Sequence, residues 1–165
     1  LRLYLGCEFH ANMSMVETLL NKERSTMAGS DYVLTEFSGA TDFAFARERV
    51  YELVTHGFIP IIAHVERYPN IRKDMGNLET LREIGAYLQV NAESILGEEG
   101  FATKRFCKKL MKNNMLDFVG TDCHRTNKRI PNLGPCAEYM EKKMGREYTE
   151  RILIHNPQKI IENIG

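Results

Sequence analysis

The chain has 165 residues with 22 Lys and Arg against 22 Asp and Glu, so its formal net charge is zero. This length suits one domain with a good core, and the balanced charge argues against non-specific binding to nucleic acid. No stretch is long and apolar enough for a membrane span, no signal peptide is recognisable, and the four cysteines lack CxxC spacing. We therefore expect a cytoplasmic protein with reduced thiols.

Apolar runs alternate with helical patterns along the chain. The runs predict five strands, near residues 2–8, 32–37, 58–64, 86–91 and 117–121. The patterns between and after them predict helices near residues 13–24, 42–57, 77–85, 100–114, 135–144, 147–155 and 157–163. Regular β-α alternation with apolar strands indicates a parallel sheet with helices outside it. We predict one α/β domain over residues 1–165.

Four of the predicted strands end in residues that can bind a metal ion. In chain order these residues are Glu8, Glu36, His64, and the pair Asp122 and His124. The C-terminal ends of parallel strands meet at the edge where βα folds build active sites. Carboxylate oxygens beside imidazole nitrogens suit a divalent ion such as zinc, manganese or iron. The repetition across four strands indicates a metal site.

Asp122, Cys123 and His124 stand together in the stretch DFVGTDCH. If residues 117–121 form a strand, positions 122 and 124 point the same way and Cys123 points the opposite way. We therefore expect Cys123 to be a packing residue, and we expect no cysteine nucleophile. Taken alone, Asp122 and His124 are more typical of a polar pair at a loop mouth than of a metal site.

The motifs that carry these residues resemble those of the polymerase and histidinol phosphatase (PHP) superfamily. The matching motifs are GxE at residues 6–8, LTEF at 34–37, AHVER at 63–67 and TDCH at 121–124. Within the superfamily, the chain is most similar to the bacterial manganese-dependent protein-tyrosine phosphatases of capsule and exopolysaccharide loci. The usual HPER motif reads HVER here, which changes the turn and no ligand.

The resemblance implies a distorted (β/α)7 barrel with a three-metal cluster at its C-terminal mouth. It implies four metal ligands in this chain, namely Glu8, His64, Asp122 and His124. Glu36 would lie beside the cluster, and Arg67 and Arg129 would grip the phosphate with their planar, forked donors. The metal would be Mn²⁺, with iron or zinc as alternatives.

The chain departs from the family at its beginning. The family opens with an HxH strand and has a further His after the second strand, and neither is present here. His10 does not replace them, because it follows the GxE motif. Five strands against seven indicate that the first two βα units are missing, so we expect weakened metal binding and little activity from this chain alone. We also expect an exposed sheet edge that would pair with a partner such as a second copy.

The resemblance implies hydrolysis of phosphotyrosine on a partner protein, which would be a bacterial tyrosine autokinase of capsule or exopolysaccharide synthesis. A phosphoesterase for small molecules such as histidinol phosphate, from the same superfamily, is one alternative. A non-catalytic domain is another, because of the missing ligands. A shallow mouth would favour a protein substrate, whereas a deep pocket would favour a small one.

Overall fold

The computed structural model describes residues 2–23, 25–125 and 130–164. Within these ranges five strands pair in parallel and follow one another in chain order. They are β1 Glu8–His10, β2 Tyr32–Glu36, β3 Ile59–Ile62, β4 Tyr87–Asn91 and β5 Phe118–Gly120. The predicted α/β class and the predicted number of strands are confirmed.

Helices follow the strands through the described residues. They are α1 Met15–Leu20, α2 Phe43–Thr55, α3 Pro69–Arg72, α4 Met75–Ile84, α5 Ala92–Leu96, α6 Phe101–Lys112, α7 Leu133–Met144, α8 Arg146–Glu150 and α9 Asn156–Glu162, with a π turn at Arg151–His155. The sequence did not predict α3 and α5, because helices of one turn are too short to display a hydrophobic period. None of the described helices is long and apolar enough to cross a lipid bilayer.

The position of the first predicted strand is wrong. Residues 2–7 form no strand, and Leu3 is 86% exposed. The strand instead lies at Glu8–His10, where its register places His10 beside Glu36 of β2. Apolar alternation yields a strand only where a neighbouring strand pairs with its backbone. Glu8 therefore opens a strand instead of following one.

The first of two compact units comprises residues 1–88 and 158–165. In this unit α2 packs against both α4 and β3. Asp42 caps the start of α2, because its carboxylate accepts a hydrogen bond of 2.8 Å from the Phe45 amide. The core includes the fully buried side chains of Val50, Leu53, Ile62, Ile71, Leu78 and Leu81. This packing fixes the strands that carry the first group of candidate ligands.

The second compact unit comprises residues 89–157. Here α5 packs against α6 and α7, and the π turn contacts β5. Its core includes the fully buried side chains of Val90, Cys107, Leu110, Leu116, Cys136, Met140 and Ile152. Asn156 has a helical backbone (φ −68°, ψ −47°) that continues the π turn, so it is not an N-cap. Its side-chain amide donates a 2.8 Å hydrogen bond to the Asp117 carbonyl. This bond holds Asn156 against the residue that precedes β5.

Candidate metal centre

Three of the predicted site residues meet in the first unit. The ligand atoms of Glu8, Glu36 and His64 all lie within 4.8 Å of one another. His64 Nε2 is 2.9 Å from Glu8 Oε1 and 3.5 Å from Glu36 Oε1. The imidazole is buried, whereas the two carboxylate side chains are 36% and 40% exposed. Glu36, which the resemblance placed beside the metal cluster, thus lies within the same group as two of the expected ligands.

The parallel pairing of three strands brings these residues together. β1 and β2 place Glu8 and Glu36 on adjacent strands, and the Ala63 amide extends the β2–β3 pairing by donating to the Thr35 carbonyl at 2.9 Å. His64 then leaves the sheet with φ 32° and ψ 55°, in the left-handed region. That conformation is uncommon for a residue with a Cβ, although His adopts it more readily than most residues. The chain therefore turns sharply at the ligand itself.

The charges of this group favour a bound cation. Two carboxylates within 4.8 Å repel each other when both are ionised, and the neutral imidazole offers a nitrogen lone pair to a metal. Two oxygen donors and one nitrogen donor match the preferences of Mn²⁺, Fe²⁺ and Zn²⁺. The donor set of these three residues therefore fits a divalent metal, and it does not choose between these ions.

Tyr68 supports His64, and sequence reasoning missed it. Its side chain is 1% exposed, and its hydroxyl lies 3.1 Å from His64 Nδ1 and accepts a 3.0 Å hydrogen bond from the Phe37 amide. Burial raises the pKa of Tyr68 well above its ordinary value, and the nearby Glu36 and Glu8 carboxylates raise this pKa further. The phenol is therefore neutral at physiological pH. The spacing of four positions between His64 and Tyr68 did not reveal this contact, because it depends on the conformation of the turn between them.

His10 lies at the margin of the group. Its Nδ1 is 3.4 Å from Glu36 Oε2, and its side chain is 61% exposed. It shares a side of β1 with Glu8, because alternate residues of a strand face the same way. His10 thus contacts one of the three residues without joining the ligand atoms that lie within 4.8 Å of one another.

Asp122 and His124 meet in the second unit, although not as strand neighbours. β5 ends at Gly120, and Asp122 adopts a left-handed φ of 48°, so the predicted alternation of side chains beyond the strand is wrong. A local hydrogen bond joins the pair instead: His124 Nδ1 donates to the Asp122 backbone carbonyl at 2.7 Å and lies 3.3 Å from Asp122 Oδ1. This bond uses Nδ1 and leaves Nε2 of His124 available to a metal, an arrangement common among metal-binding histidines.

Asn91 at the end of β4 positions the Asp122 carboxylate. Its side-chain amide donates a 3.1 Å hydrogen bond to Asp122 Oδ2, and its own oxygen accepts one of 3.1 Å from Gln89 Nε2. Both amide residues are buried on the same side of β4. Two buried amides at alternate positions of an apolar strand were the sequence signal for this support.

Cys123 is exposed, so its predicted packing role is wrong. The left-handed turn at Asp122 removes the alternation on which that prediction depended. Cys123 and Arg129 are also separated by five residues, which is the Cys-x5-Arg spacing of thiol-dependent phosphatases. That spacing runs against the expectation of no cysteine nucleophile and calls for a direct test.

Arg67, one of the two predicted phosphate-binding arginines, lies at the turn that follows His64. Arg67 is half-buried at the end of the 3-10 turn Val65–Arg67, and its amide donates a 2.9 Å hydrogen bond to the His64 carbonyl. The backbone therefore holds Arg67 directly after the ligand His64. Arg129 lies outside the described residues.

The chain is similar to a family of capsular polysaccharide synthesis proteins and to proteins named tyrosine-protein phosphatases. Residues 1–162 match the model of a family described as "Capsular polysaccharide synthesis, CpsB/CapC". The tyrosine-protein phosphatase CpsB of Streptococcus agalactiae (serotype III, strain NEM316) is 27% identical over 168 residues, which cover 99% of this chain and 69% of that protein. The putative tyrosine-protein phosphatase CapC of Staphylococcus aureus is 34% identical over 129 residues, which cover 78% of this chain and 51% of that protein.

A solved structure has the same fold. Its description reads "Crystal structures of YwqE from Bacillus subtilis and CpsB from Streptococcus pneumoniae, unique metal-dependent tyrosine phosphatases". The match has a TM-score of 0.89 and 28% sequence identity. It covers 97% of this chain and 64% of that chain, so the present chain spans about two thirds of the length of the proteins that it resembles.

Proposed function

We propose that this chain, which belongs to the CpsB/CapC capsular polysaccharide synthesis family, carries residues of a metal-dependent protein-tyrosine phosphatase. The observation that carries the proposal is the convergence of Glu8, Glu36 and His64 from three neighbouring strands. The names of the relatives support the same reading, because they are tyrosine-protein phosphatases. The substrate would be a phosphotyrosine-bearing protein, and we propose a bacterial tyrosine autokinase as that partner.

Glu8, Glu36 and His64 would hold a divalent cation, for which we propose Mn²⁺ with Fe²⁺ and Zn²⁺ as alternatives. When bound, such an ion supplies Lewis-acid activation of the phosphoryl group and of a water nucleophile. The carboxylates set the negative charge that attracts the cation. The buried imidazole supplies a neutral donor in a fixed orientation. We propose Asp122 and His124 as further metal ligands, on the strength of the DxH motif and of the tautomer that their hydrogen bond favours.

Arg67 and Arg129 would bind the phosphoryl oxygens. A guanidinium offers five N–H donors in a planar fork, which matches the tetrahedral phosphate better than a lysine ammonium does. Their positive charge would offset the negative charge that builds up on the equatorial oxygens during transfer. The backbone bond between Arg67 and His64 supports this role for Arg67, because it couples the binding arginine to a ligand.

The cellular setting is part of the same proposal. We propose that the protein acts in the cytoplasm, where a tyrosine autokinase would present its phosphorylated segment. We also propose that the chain associates with a second copy. Within the described residues β1 pairs with β2 on one side only, and an open strand edge favours pairing with another chain.

Metal analysis combined with phosphatase assays tests the proposal. We expect the complete gene product to hydrolyse p-nitrophenyl phosphate and phosphotyrosyl peptides, and to lose this activity with a chelator and regain it with Mn²⁺. Glu8→Gln and His64→Ala should remove both metal and turnover. Turnover that resists chelation, or no turnover of any phosphomonoester, would refute the proposal. Faster hydrolysis of histidinol phosphate than of phosphotyrosyl peptides would instead favour the small-molecule phosphoesterase.

The Cys-x5-Arg spacing supplies the competing mechanism and therefore the control. A thiol-dependent phosphatase loses its activity when the nucleophilic cysteine becomes serine, and it does not need a metal. Under the metal-dependent proposal, Cys123→Ser should retain activity and its response to chelator. Loss of turnover in Cys123→Ser with unchanged metal content would assign the chemistry to the thiol.

A further inference from the structure

Tyr68 makes polar contacts with two segments that carry candidate ligands. Its hydroxyl oxygen accepts a 3.0 Å hydrogen bond from the amide of Phe37, the residue that follows Glu36. The same hydroxyl lies 3.1 Å from His64 Nδ1. The Tyr68 ring is held by the Phe37 ring, which meets it edge-on with centroids 5.8 Å apart. One buried oxygen thus connects the end of β2 with the His64 imidazole.

The hydrogen bonds of His64 determine which nitrogen carries the ring proton. In the metal-free protein, His64 Nε2 lies 2.9 Å from Glu8 Oε1, so a proton on Nε2 is donated to that carboxylate. In the tautomer with its proton on Nε2, Nδ1 can accept a hydrogen bond, and the Tyr68 hydroxyl is positioned to donate to it. A cation at Nε2 requires the opposite tautomer, with the proton on Nδ1.

A phenol hydroxyl can serve both tautomers because it donates and accepts. When Nε2 gives up its proton to solvent and binds a cation, Nδ1 takes up a proton from solvent and the ring stays neutral. The new Nδ1–H can donate to the Tyr68 oxygen, which has two lone pairs and uses one for the Phe37 amide. A phenylalanine would fill the same space without either bond.

We infer that Tyr68 is a positioning residue for the metal centre, whose hydroxyl holds the His64 ring with Nε2 towards Glu8 and Glu36 in both tautomers. The inference rests on the proposed metal-dependent function. Hydrogen-bond partners of metal ligands, when removed, typically weaken metal affinity by about 10- to 100-fold. Tyr68 therefore acts on the site through His64, without contact with the substrate.

The test compares Tyr68→Phe with the matched control Tyr32→Phe. Tyr32 is a buried tyrosine on β2, whose ring lies 6.0 Å from that of Tyr87 and whose hydroxyl contact is with Tyr87. Titration calorimetry with Mn²⁺ should give a roughly 10- to 100-fold weaker affinity for Tyr68→Phe, and a change within about twofold for Tyr32→Phe. Equal affinities in the two variants would overturn the inference.

Nitrogen NMR of the ¹⁵N-histidine-labelled wild-type chain supplies a second readout that needs no variant. We expect Zn²⁺, which is diamagnetic, to bind His64 through Nε2 and to leave the ring proton on Nδ1. A Zn²⁺ ion bound through Nδ1 would overturn the inference even if Tyr68→Phe did not fold. Failure of the complete gene product to bind any metal would refute the proposed metal centre, whereas metal binding with equal affinity in Tyr68→Phe and Tyr32→Phe would overturn only the inference about Tyr68.

Discussion

Replacing Glu36 by Gln should change the stability of the protein in opposite directions with and without metal. The Glu8 and Glu36 oxygens that face the site lie within 4.8 Å of each other. At that separation two unit charges repel by about 0.9 kcal/mol in water and about 3.5 kcal/mol at an effective dielectric constant of 20. Both side chains are more than a third exposed, so the lower value applies. Metal-free Glu36→Gln should therefore be about as stable as the wild type, or more stable by about 1 kcal/mol.

Metal reverses this order. Mn²⁺ at 100 times its dissociation constant stabilises the wild type by about 2.7 kcal/mol, which is roughly 5–11 °C in unfolding midpoint for a chain of this size. Loss of one ligand carboxylate should weaken binding by about 100-fold or more, which leaves the variant about 0.4 kcal/mol at the same Mn²⁺ concentration. The wild type should then be more stable than Glu36→Gln by about 1 kcal/mol or more.

Thermal unfolding followed by circular dichroism, at pH 8 with EDTA and then with Mn²⁺, measures both differences. Glu17→Gln is the matched control, because Glu17 is an exposed carboxylate in the first turn of α1 and lies outside the cluster. This control should change little in either condition. Equal stabilisation of the wild type and Glu36→Gln by Mn²⁺ would refute the assignment of Glu36 to the site. A clear loss of stability of metal-free Glu36→Gln would refute the repulsion argument.

Three further predictions concern the rest of the chain. Burial raises the pKa of the Cys136 thiol from 9.0 to about 12, so the folded state holds its proton where the unfolded state ionises, and stability should fall as the pH rises from about 9 towards 12. Urea unfolding between pH 8 and 10.5 should show this loss of stability in the wild type and a smaller loss in Cys136→Ala. At pH 8 the exposed Cys123 should react with a thiol reagent, whereas the buried Cys136 should not. Asn91→Ala removes an amide donor from Asp122 and should lower metal affinity by about tenfold by calorimetry, and unchanged affinity would exclude Asn91 as a support. Leu53→Ala in the core of the first unit should cost about 2–5 kcal/mol in urea unfolding, and a cost below 1 kcal/mol would contradict its complete burial.

The sequence predicted the order of the strands better than their ends. The runs near 32–37, 58–64 and 86–91 became β2, β3 and β4 within two residues, because a buried parallel strand is recognisable from a short apolar run. The strand predicted near 2–8 is wrong, because an apolar alternation carries no information about which backbone segment pairs with a neighbouring strand. Its leucines at positions 3 and 5 are exposed, and the pairing with β2 begins only at Glu8.

The residues of the candidate site could be singled out from the sequence, but their geometry could not. Glu8, Glu36 and His64 could be singled out because each is a polar side chain beside an apolar run. The inclusion of Glu36 among the ligand atoms depends on the register of β1, β2 and β3, which no local pattern encodes. The contact of Tyr68 with His64 depends on the conformation of a turn, and periodicity does not describe turns.

Two of the four motifs, AHVER and TDCH, contain a candidate metal ligand in the left-handed region. His64 has φ 32° and Asp122 has φ 48°. Such a conformation costs of order 1–3 kcal/mol for each residue, and it persists only where the surrounding structure enforces it. A proline after His64, as in the usual HPER motif, would push His64 towards an extended backbone. Val65 imposes no such restriction, is fully buried, and opens the 3-10 turn that carries Arg67. The departure from HPER therefore affects more than the turn, because the backbone conformation of the preceding His64 directs its imidazole at Glu8.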